Sequence, residues 1–77
     1  MRMGYLYFNE DTDRFGIINS SDLWENEGLH CGEVLEVLIN DEWIQDRIEM
    51  TWDEEYYLVN SKLKGNELNF VKVNIKE

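Results

Sequence analysis

Hydrophobic and polar residues alternate in short runs along the chain, and the clearest run lies in the middle. Residues 34–39 are apolar except for Glu36, and a second run over residues 43–48 follows the polar pair at 40–41. Alternation over four to eight residues is typical of strands, whereas a helix needs about a dozen periodic residues. The pattern therefore predicts two antiparallel strands joined by a tight turn.

The polar pair at 40–41 sets the pairing of these two strands. It reads Asn-Asp, and both residue types tolerate the positive φ that a two-residue hairpin turn requires. Such a turn places Val37 opposite Ile44 and Leu35 opposite Asp46. The middle of the chain is thus predicted to be a hairpin in this register.

A second turn is predicted at Asp53-Glu54. It would place Met50 opposite Tyr57 and Ile48 opposite Val59. Because side chains alternate along a strand, both turns direct the same three side chains to one face. These side chains are Ile44, Ile48 and Met50. The two hairpins together predict a three-stranded antiparallel meander.

The flanking segments extend this β pattern. Further strands are predicted over residues 4–9, 14–18 and 70–75, with residues 1–3 as a short leader. In the closing strand, three apolar residues alternate with polar ones and are predicted to face the interior. They are Val71, Val73 and Ile75.

Two connecting segments are less regular. Residues 20–28 contain a poor capping sequence, so an irregular loop or short strand is predicted, with Trp24 folded onto the sheet. A single 3₁₀ turn is predicted around Lys64-Gly65-Asn66, before the last strand. The sequence contains no repeat, linker or low-complexity tract.

The spacing in the middle of the chain resembles that of Src-homology-3-like (SH3-like) and Tudor-like small barrels. The resemblance covers residues 32–38, a short acidic turn and residues 43–48. Such barrels have unrelated functions, so the resemblance implies a fold and no activity. An SH3 domain would carry Pro and Tyr ligand residues where this chain has residues 60–63. The expected fold is all-β, a small SH3-like barrel of five to six antiparallel strands in one domain, residues 1–77.

A second resemblance spans most of the chain. It is to an uncharacterised domain-of-unknown-function family of small bacterial proteins, and it rests on residues 29–32, 35–40, 43–44, 47–49, 57–59 and 71–75. This resemblance implies a bacterial or phage cytoplasmic protein, often associated with mobile elements. It implies no activity, so it assigns no functional residues.

Size and composition are compatible with one small globular domain. The chain has 77 residues, of which 43% are hydrophobic and 13% aromatic. This apolar content is enough for a thin core and argues against disorder. A single cysteine cannot form an internal disulfide, and together with the absence of a secretory or membrane-spanning pattern it predicts a cytoplasmic protein.

Charge is concentrated in the middle of the chain. Between Asp22 and Glu55 there are twelve carboxylates and one basic residue, Arg47, within a chain of net charge −10. Such a field repels nucleic acid and attracts basic partners. Direct binding of DNA or RNA is therefore not expected, and neither is a membrane partner.

Candidate chemistry is sparse. His30-Cys31 is the one pair that suggests a base and a nucleophile, but adjacent residues in an extended segment point to opposite faces. Cys31 is instead predicted to be a small buried hydrophobic residue and His30 a polar residue at the mouth of the barrel. No catalytic residue, metal ligand or cofactor is predicted, and the protein is not expected to be an enzyme.

Aromatic residues beside carboxylates give the predicted binding surface. Trp43 is offset by one residue from Ile44, so it should lie on the outer face near Leu38, and the second turn brings further aromatic residues to that side. A tryptophan among acids suits a cationic partner. The predicted partner-binding residues are Trp43, Trp52, Tyr56, Asp41, Glu42 and Glu55.

Three functions are open at this point. The first is a non-enzymatic protein-interaction module for a partner with a basic surface, using the residues just named. The second is an acidic mimic of nucleic acid, encoded by a mobile element or phage, that inhibits a nucleic-acid-binding protein. The third is an enzyme that uses His30, Cys31 and nearby acids. The sequence fixes neither the partner nor the oligomeric state.

Overall fold

Seven strands and one 3₁₀ turn make up the computed structural model, which describes residues 2–75. The strands are β1 (Arg2–Asn9), β2 (Arg14–Ile18), β3 (Trp24–Asn26), β4 (Val34–Ile39), β5 (Glu42–Met50), β6 (Tyr56–Leu58) and β7 (Lys72–Ile75). The 3₁₀ turn (Gly65–Leu68) lies before β7, which confirms that prediction. The predicted all-β class is also confirmed.

All strand pairs are antiparallel, and the sheet order is β3-β2-β1-β7-β4-β5-β6. The last strand, β7, lies between β1 and β4 and so joins the first half of the chain to the second. The sheet is curved, because the ring of Phe15 on β2 reaches that of Tyr56 on β6 at a centroid distance of 5.7 Å. Side chains of β2 and β6 thus meet across a shared core.

The predicted number of five to six strands is too low. The additional strand is β3, where the sequence left a loop or a short strand open. The first strand also begins earlier than expected, because Arg2 and Met3 pair with β7 instead of forming a leader. Met1 lies outside the described residues. Both segments have weak strand patterns in the sequence. They form strands because they pair with a neighbouring strand.

The turn at Asn40-Asp41 has the predicted form. Its two residues have φ of 51° and 65°, as a two-residue hairpin turn requires. The resulting register pairs Val37 with Ile44 and extends over the whole of β4. The prediction for this hairpin is confirmed.

The second hairpin differs from its prediction by one residue. Met50 pairs with Tyr56 instead of Tyr57, since the loop contains the three residues 52–54. The N–H of Glu54 donates to the carbonyl of Thr51 at 3.0 Å, and Glu54 has φ 63°. This is a turn followed by a left-handed residue, the usual form of a three-residue loop.

The core lies on the concave inner face. Ile48 is fully buried, and Ile44 and Met50 pack against the core that contains it, so the predicted shared face is confirmed. Val73 and Ile75 are core residues of β7, as predicted, and Val71 packs beside them. The core comprises Leu6, Phe15, Ile17, Leu29, Leu35, Val37, Ile48, Tyr56, Leu58, Leu68, Val73 and Ile75.

One carboxylate, that of Asp46, is buried on the inner face. Its Oδ1 accepts N–H hydrogen bonds from Asn60 at 2.7 Å and Arg47 at 2.8 Å, and its Oδ2 accepts one from Ser61 at 2.9 Å. Burial opposes ionisation, but these donors outweigh it and hold the pKa of Asp46 below its usual range. Asp46 therefore fastens the loop after β6 to β5.

Candidate functional site

Three aromatic side chains lie together on the outer face of the sheet, and we call them the outer trio: Tyr7, Trp24 and Phe70. The ring of Tyr7 lies 6.4 Å from that of Trp24 and 5.3 Å from that of Phe70, with interplanar angles of 35° and 39°. Their exposed fractions are 40%, 37% and 64%. Large rings at these exposures form an apolar patch on the surface of the protein.

Trp24 can lie close to β2 because Gly16, the residue beneath it, has no side chain. Gly16 pairs with Tyr7, and a Cβ at Gly16 would lie 2.9 Å from Cζ3 of Trp24 and 2.2 Å from the carbonyl oxygen of Asn26. Those distances are too short for any side chain. Glycine at this one position therefore lets β3 and its tryptophan lie close to the sheet.

The loop before β3 is held by one amide side chain. Oδ1 of Asn19 accepts N–H hydrogen bonds from Ser21 at 2.8 Å and from Leu23 at 3.1 Å. Nδ2 of Asn19 donates to Glu25, which also pairs with Arg2, and these two contacts lower the pKa of Glu25. The loop thus leads into Trp24 in a defined geometry.

Phe70 has an unusual backbone conformation. Its φ is 71°, in the left-handed region that bulky side chains rarely adopt. Its N–H donates to the carbonyl of Leu6 at 2.7 Å, and the N–H of Leu6 donates to the carbonyl of Val71 at 2.9 Å. This backbone pair with β1 fixes Phe70 and directs its ring toward Tyr7.

An acidic groove begins beside Tyr7. It has a volume of about 470 Å³, and its carboxylates are Glu10, Glu54 and Glu55. A second depression of about 370 Å³, lined in part by Glu10 and Asp11, lies between Tyr7 and Trp24. In the described part of the chain, neither depression is lined by lysine or arginine. Aromatic rings and carboxylates therefore form one continuous surface.

The predicted binding residues fall into two groups. Asp41, Glu42 and Trp43 lie in the first turn and at the start of β5; Trp43 lies opposite Leu38, as predicted, and is half-buried. Trp52 is fully exposed in the loop that follows the other end of β5. The seven residue steps from position 43 to position 50 alone span about 23 Å at the usual strand rise. One small partner surface does not cover both groups.

The predicted placement of Tyr56 on the outer face, the side on which Trp43 lies, is wrong. Tyr56 is only 7% exposed, and its hydroxyl donates to the carbonyl of Asp13 at 3.3 Å. Burial raises the pKa of its phenol. The one-residue shift of the second hairpin causes this, since it moves each side chain of β6 to the other face. Tyr56 nevertheless lines the acidic groove together with Glu55.

The residues His30 and Cys31 lie in a tight turn. The N–H of Glu33 donates to the carbonyl of His30 at 3.0 Å, and Gly32 has the φ of 88° that the third position of such a turn requires. Cys31 is exposed, so its predicted burial is wrong, because this turn projects it outward. Nδ1 of His30 lies 2.9 Å from the guanidinium of Arg14.

Residues 2–75 contain no group of three or more His, Cys, Asp or Glu side chains arranged to hold a metal ion. No helix within them has the length and apolar character needed to cross a membrane.

The fold and surface define a small all-β domain with an exposed aromatic and acidic face. The chain belongs to the family described as Domain of unknown function (DUF5348), whose model matches residues 4–75. This confirms the predicted resemblance to an uncharacterised family. No curated protein matches the chain.

A solved structure gives the same fold. The crystal structure of a protein from Ruminococcus gnavus, a Northeast Structural Genomics Consortium target, superposes with a TM-score of 0.75 at 35% identity. The match covers 96% of this chain and 100% of that one. The family description assigns no activity, so the function has to be argued from the site.

Sequence reasoning missed the outer trio. Its members lie on β1, on β3 and before β7, so only the sheet order brings them together. The position of Tyr7 was predictable in part. Leu6 faces inward, and adjacent residues of a strand face opposite sides of the sheet, so Tyr7 has to face outward. The position of Phe70 had no signal, since its φ is set by pairing with Leu6.

Proposed function

We propose that this protein is a non-enzymatic protein-interaction module, and that its contact surface is the outer trio together with the adjoining acidic groove. The observation that carries the proposal is the ring of Phe70, which is 64% exposed and held at a φ of 71°. A left-handed conformation costs a residue with a Cβ about 1–2 kcal/mol. Burial of so exposed a ring offsets little of that cost within the free protein.

Strained backbone is concentrated at binding and active sites, where it presents a side chain in a required position. Tyr7 and Trp24 support the same conclusion, since tryptophan and tyrosine are enriched among the residues that dominate binding energy. Tyr7 and Trp24 also lie on strands, and Phe70 is tied to β1 by its backbone hydrogen bond to Leu6, so the rings are held in place before a partner arrives. Little ordering of these rings is then needed on binding.

The chemistry of the groove favours a partner with a basic surface. Glu10, Glu54 and Glu55 line it beside the aromatic rings, within a chain of net charge −10. Opposite charge steers association and selects among partners. The same field repels nucleic acid, so we do not propose direct binding of DNA or RNA.

The six residues predicted from the sequence keep a place in this proposal. Glu55 and Tyr56 line the acidic groove, and Trp52 belongs to the loop beside it. Asp41, Glu42 and Trp43 form a separate candidate surface at the other end of β5. The two surfaces are distinguishable by mutation.

We further propose that the curved sheet is a variant of the SH3-like barrel and that the protein acts in the bacterial cytoplasm. The contact between Phe15 and Tyr56 across the ends of the sheet supports the first point. The exposed thiol of Cys31 is compatible with the second, since a reducing compartment keeps it free.

Affinity purification from the native host tests the main proposal. The wild-type protein is compared with Trp24→Leu and Phe70→Leu, and with Trp43→Leu as the matched control. We expect the first two changes to remove a captured protein and the Trp43 change to leave it in place. If all variants remained folded and only Trp43→Leu abolished capture, the binding site would lie at the start of β5 instead.

A nucleic-acid mimic is the alternative, and the distribution of charge favours it. Arg47 is the one basic residue among twelve carboxylates at positions 22–55, and it is itself paired with Glu49 at 2.9 Å. Binding by a mimic would weaken steeply with salt and would depend on carboxylates more than on Trp24. Salt-insensitive capture would exclude it.

A further inference from the structure

A separate pocket, lined by the outer trio, lies at one end of the proposed contact surface. It has a volume of about 340 Å³ and is lined by Tyr7, Ile18, Asp22, Trp24 and Phe70. Tyr7 contacts both other rings, so it lies between Trp24 and Phe70. Three aromatic residues, Ile18 and one acidic residue, Asp22, therefore line a small space.

The carboxylate belongs to a constrained residue. Asp22 has φ 61°, and its N–H donates to the carbonyl of Asn19 at 3.0 Å. The loop that carries it is fixed on both sides by the Asn19 side chain, which binds the N–H groups of Ser21 and Leu23. Asp22 is thus held at the pocket without an arginine or lysine among the residues that line it.

We infer that this pocket receives the guanidinium group of an arginine side chain from the protein partner. The inference rests on the proposed interaction function and names the group that anchors the partner. Aromatic faces carry negative potential and attract cations within about 6 Å of the ring centre. A carboxylate at the same pocket adds a charge-assisted hydrogen bond.

Arginine fits better than lysine for two reasons. The guanidinium is planar and stacks on aromatic rings, and the rings of the trio are inclined to each other by only 35° and 39°. It is also less strongly hydrated than an ammonium group, so its transfer to a half-open apolar pocket costs less. The neighbouring Glu10 and Asp11 then favour further basic residues in the same partner segment.

A matched pair of peptides tests the inference. One is a Gly-Ser peptide with a single central arginine, and the other carries citrulline, which has nearly the same shape without the charge. Titration of the ¹⁵N-labelled protein is followed by the indole N–H signals, with Trp52 as an internal control. We expect arginine to shift the Trp24 signal and to bind roughly threefold to tenfold more tightly than citrulline.

Variants identify the groups involved. Asp22→Asn retains the shape of an exposed side chain and is expected to remove most of the preference for arginine over citrulline. Phe70→Leu is expected to weaken both peptides, whereas Trp52→Leu is expected to change neither. Equal binding of the two peptides, or shifts of Trp52 as large as those of Trp24, would overturn the inference.

The arginine pocket and the proposed contact surface can be disproved independently of each other. If Trp24→Leu abolishes capture of the partner while arginine and citrulline bind equally, the interaction surface stands and the arginine pocket is wrong. If arginine binds selectively but Trp24→Leu leaves capture unchanged, the pocket recognises arginine and the proposed contact surface is wrong.

Discussion

Two aromatic trios lie on opposite faces of the same sheet, and they differ in both burial and geometry. The inner trio consists of Phe8, Phe15 and Tyr56, whose rings meet edge to face at 72° and 80°. The outer trio consists of Tyr7, Trp24 and Phe70, whose rings are tilted by 35° and 39° and are exposed. Tyr7 and Phe8 are neighbours on β1, so strand alternation alone separates the two sets.

The comparison separates stability from binding. The inner trio joins β1 and β2 to β6 across the core. The outer trio makes no such contact across the core. One of its members, Phe70, is held in a backbone conformation that costs free energy. Rings of similar chemistry therefore stabilise the fold in the inner trio, which also lines the acidic groove, and remain exposed in the outer trio.

The largest expected effect comes from removing a ring of the inner trio. Phe15→Ala should lower the free energy of unfolding by about 3–5 kcal/mol, because it leaves a cavity between the two ends of the sheet. Urea unfolding measures the change. The matched variant Tyr7→Ala, on the opposite face of the sheet, should lower the free energy of unfolding by about 1 kcal/mol or less. Similar losses for both would show that the two trios do not differ in role.

A smaller effect is expected at Asp46, the buried carboxylate of the inner face. Asp46→Asn should cost about 1–3 kcal/mol at pH 7, since one charged acceptor serves three backbone N–H groups. Its folded pKa lies below the unfolded value of about 3.9, so the stabilisation is full above that value and is lost as the pH falls through the folded pKa.

The pH dependence distinguishes this mechanism from a loss of packing. The stability difference between wild type and Asp46→Asn, measured by urea unfolding, should shrink as the pH falls below about 4. A difference that stays constant from pH 7 to pH 3 would contradict the role of the ionised carboxylate.

The smallest stability effect, and one of opposite sign, is expected in the outer trio. Phe70→Asn should raise the free energy of unfolding by about 1 kcal/mol, because asparagine tolerates the left-handed region better than phenylalanine. The same change should abolish binding. Phe70→Leu, which keeps the backbone strain, is the control. A clear destabilisation by Phe70→Asn would make the ring a structural element instead.

Sequence patterns predicted the parts of the fold that depend on local chemistry. The pair Asn40-Asp41 determined a turn and the register of β4 against β5, because both residues tolerate positive φ. The second turn was harder, since Glu54 adopts the left-handed conformation without being glycine or asparagine. A one-residue error in that loop was enough to place Tyr56 on the wrong face.

The site was less predictable because it is assembled from distant segments. Tyr7, Trp24 and Phe70 come together only through the order β3-β2-β1-β7, which no local pattern encodes. Asp46 is a different case. The correctly predicted register already placed it between Ile44 and Ile48 on the inner face, so a buried, hydrogen-bonded carboxylate was implied there.

Photo-crosslinking from the outer trio tests the central claim most directly. A photoreactive p-benzoylphenylalanine is placed at position 70 and, in separate variants, at the exposed position 52 and at position 43, and the proteins are irradiated in cells of the native host. We predict a discrete crosslinked partner from position 70 and none from position 43. A partner crosslinked from position 43 and absent from position 70 would contradict the account.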